Sequence, residues 1–159
     1  LGAEWKGFDI SAFFQGSVGN DILNILKYDI YSGTGWYNAP KDILTTYWNG
    51  PGSTNENFAI DADSRMNLEM SDWYVENGSY LRFQNITLGY NVPTEFLSFT
   101  KYVSGLRVYA SLQNFFTITS YSGDNPEVSK YGQDNLGAGY DAFSYPFAKS
   151  VLFGLNVKF

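Results

Sequence analysis

The stretch Val151-Leu-Phe-Gly-Leu-Asn-Val-Lys-Phe159 decides the fold of this chain. Its odd-numbered positions are Val, Phe, Leu, Val and Phe, whereas its even-numbered positions are Leu, Gly, Asn and Lys. Because successive side chains of a strand point to opposite faces, this alternation predicts one apolar face and one small or polar face. A strand of a membrane β-barrel has this pattern, with the apolar face toward lipid, and nine tilted residues rise roughly 23 Å, close to the height of the apolar band. An edge strand of a soluble sandwich shares the alternation, so the remaining sequence has to separate the two.

Three further segments alternate in the same way, and the expected strands are about residues 5–17, 80–91, 105–119 and 151–159. In the second segment the phase breaks, since Phe83 lies on one parity and Ile86 on the other. One extra residue shifts an alternation by one, so we predict a β-bulge near Gln84-Asn85. In the first segment, Phe13 is the one aromatic residue on the otherwise polar face.

The connections between the expected strands are alternately long and short. Residues 18–79 and 120–150 form two long loops, whereas 92–104 is a brief turn. Outer-membrane barrels combine long extracellular loops with short periplasmic turns, so we place the two loops outside the cell and the turn in the periplasm. Four strands cannot close a barrel, because the smallest natural barrels have about eight. The chain is therefore expected to be part of a larger barrel.

Composition excludes several functional classes. The chain has no His and no Cys, which removes Ser-His-Asp and Cys-His catalysis, His-containing zinc sites and disulfides. The net charge of −6, with ten scattered Lys and Arg residues, argues against a nucleic-acid partner. The segment Asp61-Ala-Asp63-Ser-Arg65 begins like a calcium loop, but Arg65 occupies a position that needs an oxygen ligand. We therefore expect no enzyme activity, no metal and no cofactor.

Four segments carry a family resemblance in one order along the chain. They are Gly78–Tyr90 (GSYLRFQNITLGY), Leu106–Thr119 (LRVYASLQNFFTIT), Tyr121–Val128 (YSGDNPEV) and Tyr145–Phe159 (YPFAKSVLFGLNVKF). The first three are similar to the GSYLRLKNITLGY, LRVYVSGQNLFTFT and YxGxDPEV motifs of the SusC/RagA family of TonB-dependent outer-membrane transporters, and the fourth resembles the family's carboxyl terminus. The third motif differs at Asn125, where the family usually has Asp.

The resemblance implies an all-β fold in which this chain forms the last four antiparallel strands of a transmembrane barrel of about 22 strands. It also implies import of glycans or peptides across the outer membrane of a Bacteroidetes-type bacterium, with a SusD-like surface lipoprotein as the partner. The plug domain, the rest of the barrel and the segment that contacts the TonB complex would belong to other parts of the protein.

Exposed aromatic side chains of the long loops are the expected substrate contacts, because rings offer a large area with few rotamers to immobilise. These residues are Trp36, Tyr37, Tyr47, Trp48 and Tyr121. The alternative is that the rings pack within their own loop or against the lipoprotein. The terminal Phe159 is expected to be the signal that the barrel-assembly machinery reads.

A soluble carbohydrate-binding module is the main alternative to a transporter segment. Such a module would have to bury the apolar stripe of its strands under a second sheet. The stripe comprises Phe8, Ile10, Leu106, Val108, Phe153 and Val157. The exposure of these side chains therefore separates the two hypotheses.

Overall fold

A computed structural model describes residues 1–32, 37–60, 69–97, 102–129 and 135–159. The chain divides into two compact units. The sheet unit comprises Leu1–Val18, Tyr80–Thr119 and Pro146–Phe159, and the loop unit comprises Gly19–Ser79 and Ser120–Tyr145. Each unit is described separately below.

Strands dominate the described residues. They are β1 (Gly2–Trp5), β2 (Phe8–Ser17), β3 (Asp21–Asn24), β4 (Val75–Asn77), β5 (Tyr80–Val92), β6 (Gly105–Thr119), β7 (Tyr140–Asp141) and β8 (Ser150–Lys158). Two short helices, α1 (Ile25–Tyr31) and α2 (Ile43–Thr46), accompany 3-10 turns at Asp72–Tyr74, Thr94–Leu97 and Asn135–Gly137. None of these helices is both long enough and apolar enough to cross a membrane.

The sheet unit is one antiparallel sheet with the strand order β1-β2-β5-β6-β8. The all-β, antiparallel prediction is confirmed. The expected first strand, 5–17, however, comprises the last residue of β1, a turn and the whole of β2, which together belong to a β-hairpin. Strands β1 and β2 pair from Gly2↔Ser11 to Trp5↔Phe8, which leaves Lys6 and Gly7 as a two-residue turn. Both have positive φ, 47° and 88°, which is the geometry of a type I′ turn. The sheet therefore has five strands instead of the expected four.

The predicted β-bulge in β5 is confirmed. Against β2, Phe13 pairs with Asn85 and Phe14 pairs with Phe83, so that Gln84 is the extra residue. The pairing of β5 with β6 also shifts between Phe83 and Asn85. The bulge keeps the apolar side chains before and after it on one face of the sheet.

The two faces of the sheet have opposite character. One row of paired residues across four strands is Ile10, Leu88, Ala110 and Phe153. The adjacent row, on the other face, is Ser11, Thr87, Ser111 and Leu152. Phe153 is 82% exposed whereas Ser111 is 7% exposed. We call the apolar, exposed side the outer face and the polar side the inner face. A soluble sheet buries its apolar face, so this arrangement is the reverse of a soluble domain.

The stripe that separates the two sequence hypotheses lies on the outer face. Phe8, Ile10, Phe153 and Val157 are exposed, and Leu106 and Val108 are half-buried. The condition for a soluble carbohydrate-binding module, burial of the stripe under a second sheet, is therefore not met.

Side chains on the inner face connect strands across glycines. Arg107 on β6 reaches over β5 to Asp9 on β2, where its Nε donates to Oδ2 at 3.0 Å and a second guanidinium nitrogen donates to Oδ1. A Cβ at Gly89 would collide with both of these side chains. The Tyr109 ring covers Gly154 in the same manner. Glycine is required at both positions because a side chain crosses close to the backbone there.

The loop unit has its own small sheet and core. Strand β3 pairs antiparallel with β4 and parallel with β7. Helix α1 begins after Asn24, whose side chain accepts a hydrogen bond from the backbone nitrogen of Lys27 at 2.9 Å, as an N-cap does. Ile22, Tyr121 and Val128 form a buried cluster. Burial of these side chains stabilises the two long connections as one folded unit.

Candidate functional site

The carboxylate of Glu76 on β4 joins separate segments of the loop unit. Its Oε2 accepts a hydrogen bond from the backbone nitrogen of Ser122 at 2.8 Å, and its Oε1 accepts one from the Ser122 hydroxyl at 2.8 Å. Asn24 Nδ2 donates to Oε1 at 3.3 Å, and Lys27 Nζ lies 3.5 Å from Oε1. Lys27 also donates to the Trp73 carbonyl at 2.8 Å and lies 3.8 Å from the centre of the Trp73 ring. The Glu76 cluster thus connects residues of both long loops.

A cleft of about 560 Å³ lies beside the Glu76 cluster within the loop unit. Its apolar wall is formed by Leu26, Ile30 and Pro40, and its polar lining includes Lys27, Tyr31, Asp42, Glu76 and Ser122. This volume is within the range of small-molecule sites, about 300–1,000 Å³. The mixture of aliphatic walls and a few polar groups is also typical of such sites.

The Tyr31 hydroxyl is a fixed donor at the edge of this cleft. It donates a hydrogen bond to Asp42 Oδ2 at 2.9 Å. Burial, together with the neighbouring Asp42 carboxylate, raises the pKa of Tyr31 to about 12. The hydroxyl therefore stays protonated throughout the physiological pH range, and Asp42 keeps its second oxygen for another partner.

Tyr121 does not present an exposed ring, contrary to the expectation from the sequence. Its side chain is 5% exposed and packs against Ile22 and Val128. Its hydroxyl donates to Asp141 Oδ2 at 2.6 Å, and burial raises its pKa far above the usual value for tyrosine. The ring packs inside the loop unit, against Ile22 of the first long loop and Val128 of its own loop, and is therefore not presented to a substrate.

The other expected aromatic contacts are in separate places. Tyr37 is 54% exposed, and its ring centre lies 5.8 Å from that of Phe143. Trp48 is exposed beside Tyr47, whose backbone bridges to Asn57. Trp36 lies outside the described residues, and none of the four described aromatics lines the cleft. Among the described residues, no ring contact joins Tyr37 to Tyr47 or Trp48.

The cleft residues Tyr31, Asp42 and Glu76 were missed at the level of the sequence. They lie far apart along a loop of about sixty residues, and no spacing rule connects them. The calcium-like segment at Asp61–Arg65 lies outside the described residues. Within the part of the chain that the structure describes, no group of carboxylates is arranged to hold a metal ion.

Comparisons with known proteins identify relatives over nearly the whole chain. No family model matches the chain. TonB-dependent receptor P3 of Formosa agariphila is 36% identical over 98% of this chain and 15% of its own length. TonB-dependent receptor SusC of Bacteroides thetaiotaomicron is 31% identical over 98% of this chain and 14% of its own length. The chain thus spans a small part of the length of the curated relatives it matches.

Solved structures give the same result. The RagAB peptide importer in its open-open state has a TM-score of 0.79 and 27% identity, with 99% of this chain and 16% of that chain covered. The RagAB peptide transporter has a TM-score of 0.78 at the same identity. Both the sheet and the long connections of this chain therefore have counterparts in a known transporter chain.

Proposed function

Because this chain is a carboxyl-terminal segment of the SusC/RagA type of TonB-dependent receptor, we propose that the protein carrying it imports a nutrient across the bacterial outer membrane. The observation that supports this most is the reversed sheet, with its apolar outer face exposed and its polar inner face partly covered. Strands arranged in this way complete a wall between lipid and a polar lumen. The two long loops then face the exterior and form part of the entrance.

The finer assignment extends to partners and substrate. A SusD-like surface lipoprotein covers the loops, the TonB complex powers import through the plug, and the plug and the remaining strands of the barrel of about 22 lie outside this chain. The cargo is a glycan or a peptide, and the peptide alternative is supported by the RagAB importer among the similar structures. Tyr37, Tyr47 and Trp48, with Trp36, contact cargo or lipoprotein.

This function is tested on the full-length protein in its native membrane. We expect it in the outer-membrane fraction, extractable only with detergent and co-purifying with a lipoprotein. Deletion of its gene should abolish growth on one class of glycan or peptide, and reintroduction should restore it. A detergent-independent monomer, or growth unchanged on every glycan and peptide tested, would contradict the proposal.

Phe159 is proposed as the assembly signal. It is strongly exposed and follows the last residue of β8, so that no ladder partner fixes it. We expect Phe159→Ala to lower the amount of receptor at the cell surface several-fold, whereas Phe159→Tyr keeps an aromatic ring and assembles normally. Surface labelling of intact cells measures both, and normal assembly of the alanine variant would refute this role.

A further inference from the structure

Phe13 is an aromatic residue on the inner face of the sheet, where its neighbours are polar. It is 59% exposed, and in the β2–β5–β6 ladders it pairs with Asn85, which in turn pairs with Gln113. Across these three strands, the aromatic ring of Phe13 is therefore followed by the carboxamides of Asn85 and Gln113. Lipid is on the other side of the sheet, so this ring is not part of the lipid-facing surface.

The bulge adds two further carboxamides beside this row. Gln84 is the extra residue of β5, and Asn114 on β6 has a φ of 52°, an unusual conformation that asparagine tolerates better than most residues. Phe13 and the four carboxamides of Gln84, Asn85, Gln113 and Asn114 line a pocket of about 350 Å³. No charged side chain is among these lining residues.

Hydrogen-bonding capacity is left over in this pocket. The Oδ1 of Asn85 accepts from the hydroxyls of Ser111 at 2.8 Å and Thr87 at 3.2 Å, which fixes the carboxamide and leaves its amide nitrogen as a donor. The Oε1 of Gln84 is buried and has no hydrogen-bond partner in the described part of the chain. A buried unpaired carbonyl is costly, and a ligand hydroxyl that donates to it would remove that cost.

We propose that this pocket is a subsite for one neutral sugar unit of a glycan on the luminal wall. The inference rests on the proposed import function and specifies its cargo. Carboxamides both donate and accept, which matches hydroxyl groups that do the same, and an exposed ring face packs against the C–H face of a sugar. The pocket has the size of the smaller ligand sites. A charged cargo would find no counter-charge among the lining residues.

The test uses the full-length receptor in detergent and isothermal titration calorimetry. The probes are maltohexaose, cellohexaose, laminarihexaose, mannohexaose and xylohexaose, with a neutral hexapeptide of Ala, Gly and Ser for comparison. We expect wild type to bind at least one of these saccharides and Phe13→Ala to weaken that binding about tenfold, equivalent to about 1.4 kcal/mol. Gln113→Glu should weaken it as well, because a carboxylate loses the two N–H donors.

Two controls separate binding from folding. Phe14→Ala removes a ring from the adjacent residue, which packs edge-on against Phe83 on the outer face, and should leave the saccharide affinity unchanged. Phe13→Tyr keeps the ring and should keep the affinity. If Phe13→Ala does not fold, Gln113→Glu and Phe13→Tyr decide the question.

Three results would contradict the proposed subsite. The wild-type receptor binds none of the five saccharides; the Phe13→Ala receptor binds saccharide as tightly as wild type; or Phe13→Ala lowers the affinity for the peptide and not for any saccharide. A receptor that still supports growth on peptides but fails these assays would refute the subsite and keep the import function. Failure of the growth assay itself would count against import.

Discussion

Leu155→Arg on the outer face of β8 is expected to destabilise the folded barrel by about 2–4 kcal/mol, the cost of an arginine near the bilayer midplane. Leu155 pairs with Val108, lies close to the middle of its strand and is strongly exposed. In lipid, the introduced guanidinium would have no water and no partner. Equilibrium unfolding of the full-length receptor in lipid vesicles, with urea as denaturant, measures the difference.

Leu152→Arg is the matched control, since it also replaces a leucine of β8 by arginine, three positions earlier in the strand. Leu152 is also exposed, but it pairs with Ser111 and therefore lies on the inner face. The lumen of a transport barrel is polar, so we expect this variant to lose less than about 1 kcal/mol. Equal losses at the two positions would mean that the outer face does not meet lipid.

Tyr121→Ala is expected to destabilise the loop unit by about 3–5 kcal/mol, the cost of truncating a large buried ring to alanine. The variant loses the contacts with Ile22 and Val128 and leaves the Asp141 carboxylate without its tyrosine donor. Because the ring ties the second long loop to β3, both long loops should become mobile. Hydrogen–deuterium exchange of residues 19–79 and 120–145 in the folded receptor measures the loss.

Two tyrosine variants calibrate this result. Tyr37→Ala removes an exposed ring of the same unit. The free energy of opening of the loop core, calculated from its exchange rates, should change by less than about 0.5 kcal/mol. Tyr121→Phe keeps the packing and removes only the hydrogen bond to Asp141, at about 1–3 kcal/mol. Unchanged protection in Tyr121→Ala would show that Tyr121 is not part of the core and would return it to the candidate substrate contacts.

The sequence predicted the features of the sheet that depend on local periodicity. Alternation in β8 located the outer face, and the broken phase between Phe83 and Ile86 located the bulge at Gln84. The hairpin at Lys6-Gly7 was missed, although the phase of the alternation changes there: the outer face has Ala3 and Trp5 in β1 but Phe8 and Ile10 in β2. Five strands instead of four is the consequence.

The candidate sites depend on distances that a one-dimensional pattern does not contain. Judged by residue type alone, Tyr121 is a reasonable candidate for a substrate contact. Its burial results from packing against Ile22, about a hundred residues earlier in the chain. The Glu76 cluster joins Asn24 to Ser122 in the same long-range way. For Phe13 a signal did exist, since an aromatic residue on a polar face is an exception to the pattern. The subsite proposed at Phe13 depends on the registers of β5 and β6, which place carboxamides around the ring.

The central claim is that one face of this sheet meets lipid while the other faces an aqueous lumen, and single spin labels along β8 test it most directly. The segment contains no cysteine, so each position from 151 to 158 can be replaced by a labelled cysteine without background from this chain. In the full-length receptor reconstituted in vesicles, collision rates with oxygen report lipid and those with a polar nickel chelate report water. We expect oxygen collisions to peak at Val151, Phe153, Leu155 and Val157, and nickel collisions to peak at the residues between them. Rates without a period of two, or nickel access at the odd-numbered positions, would contradict the account.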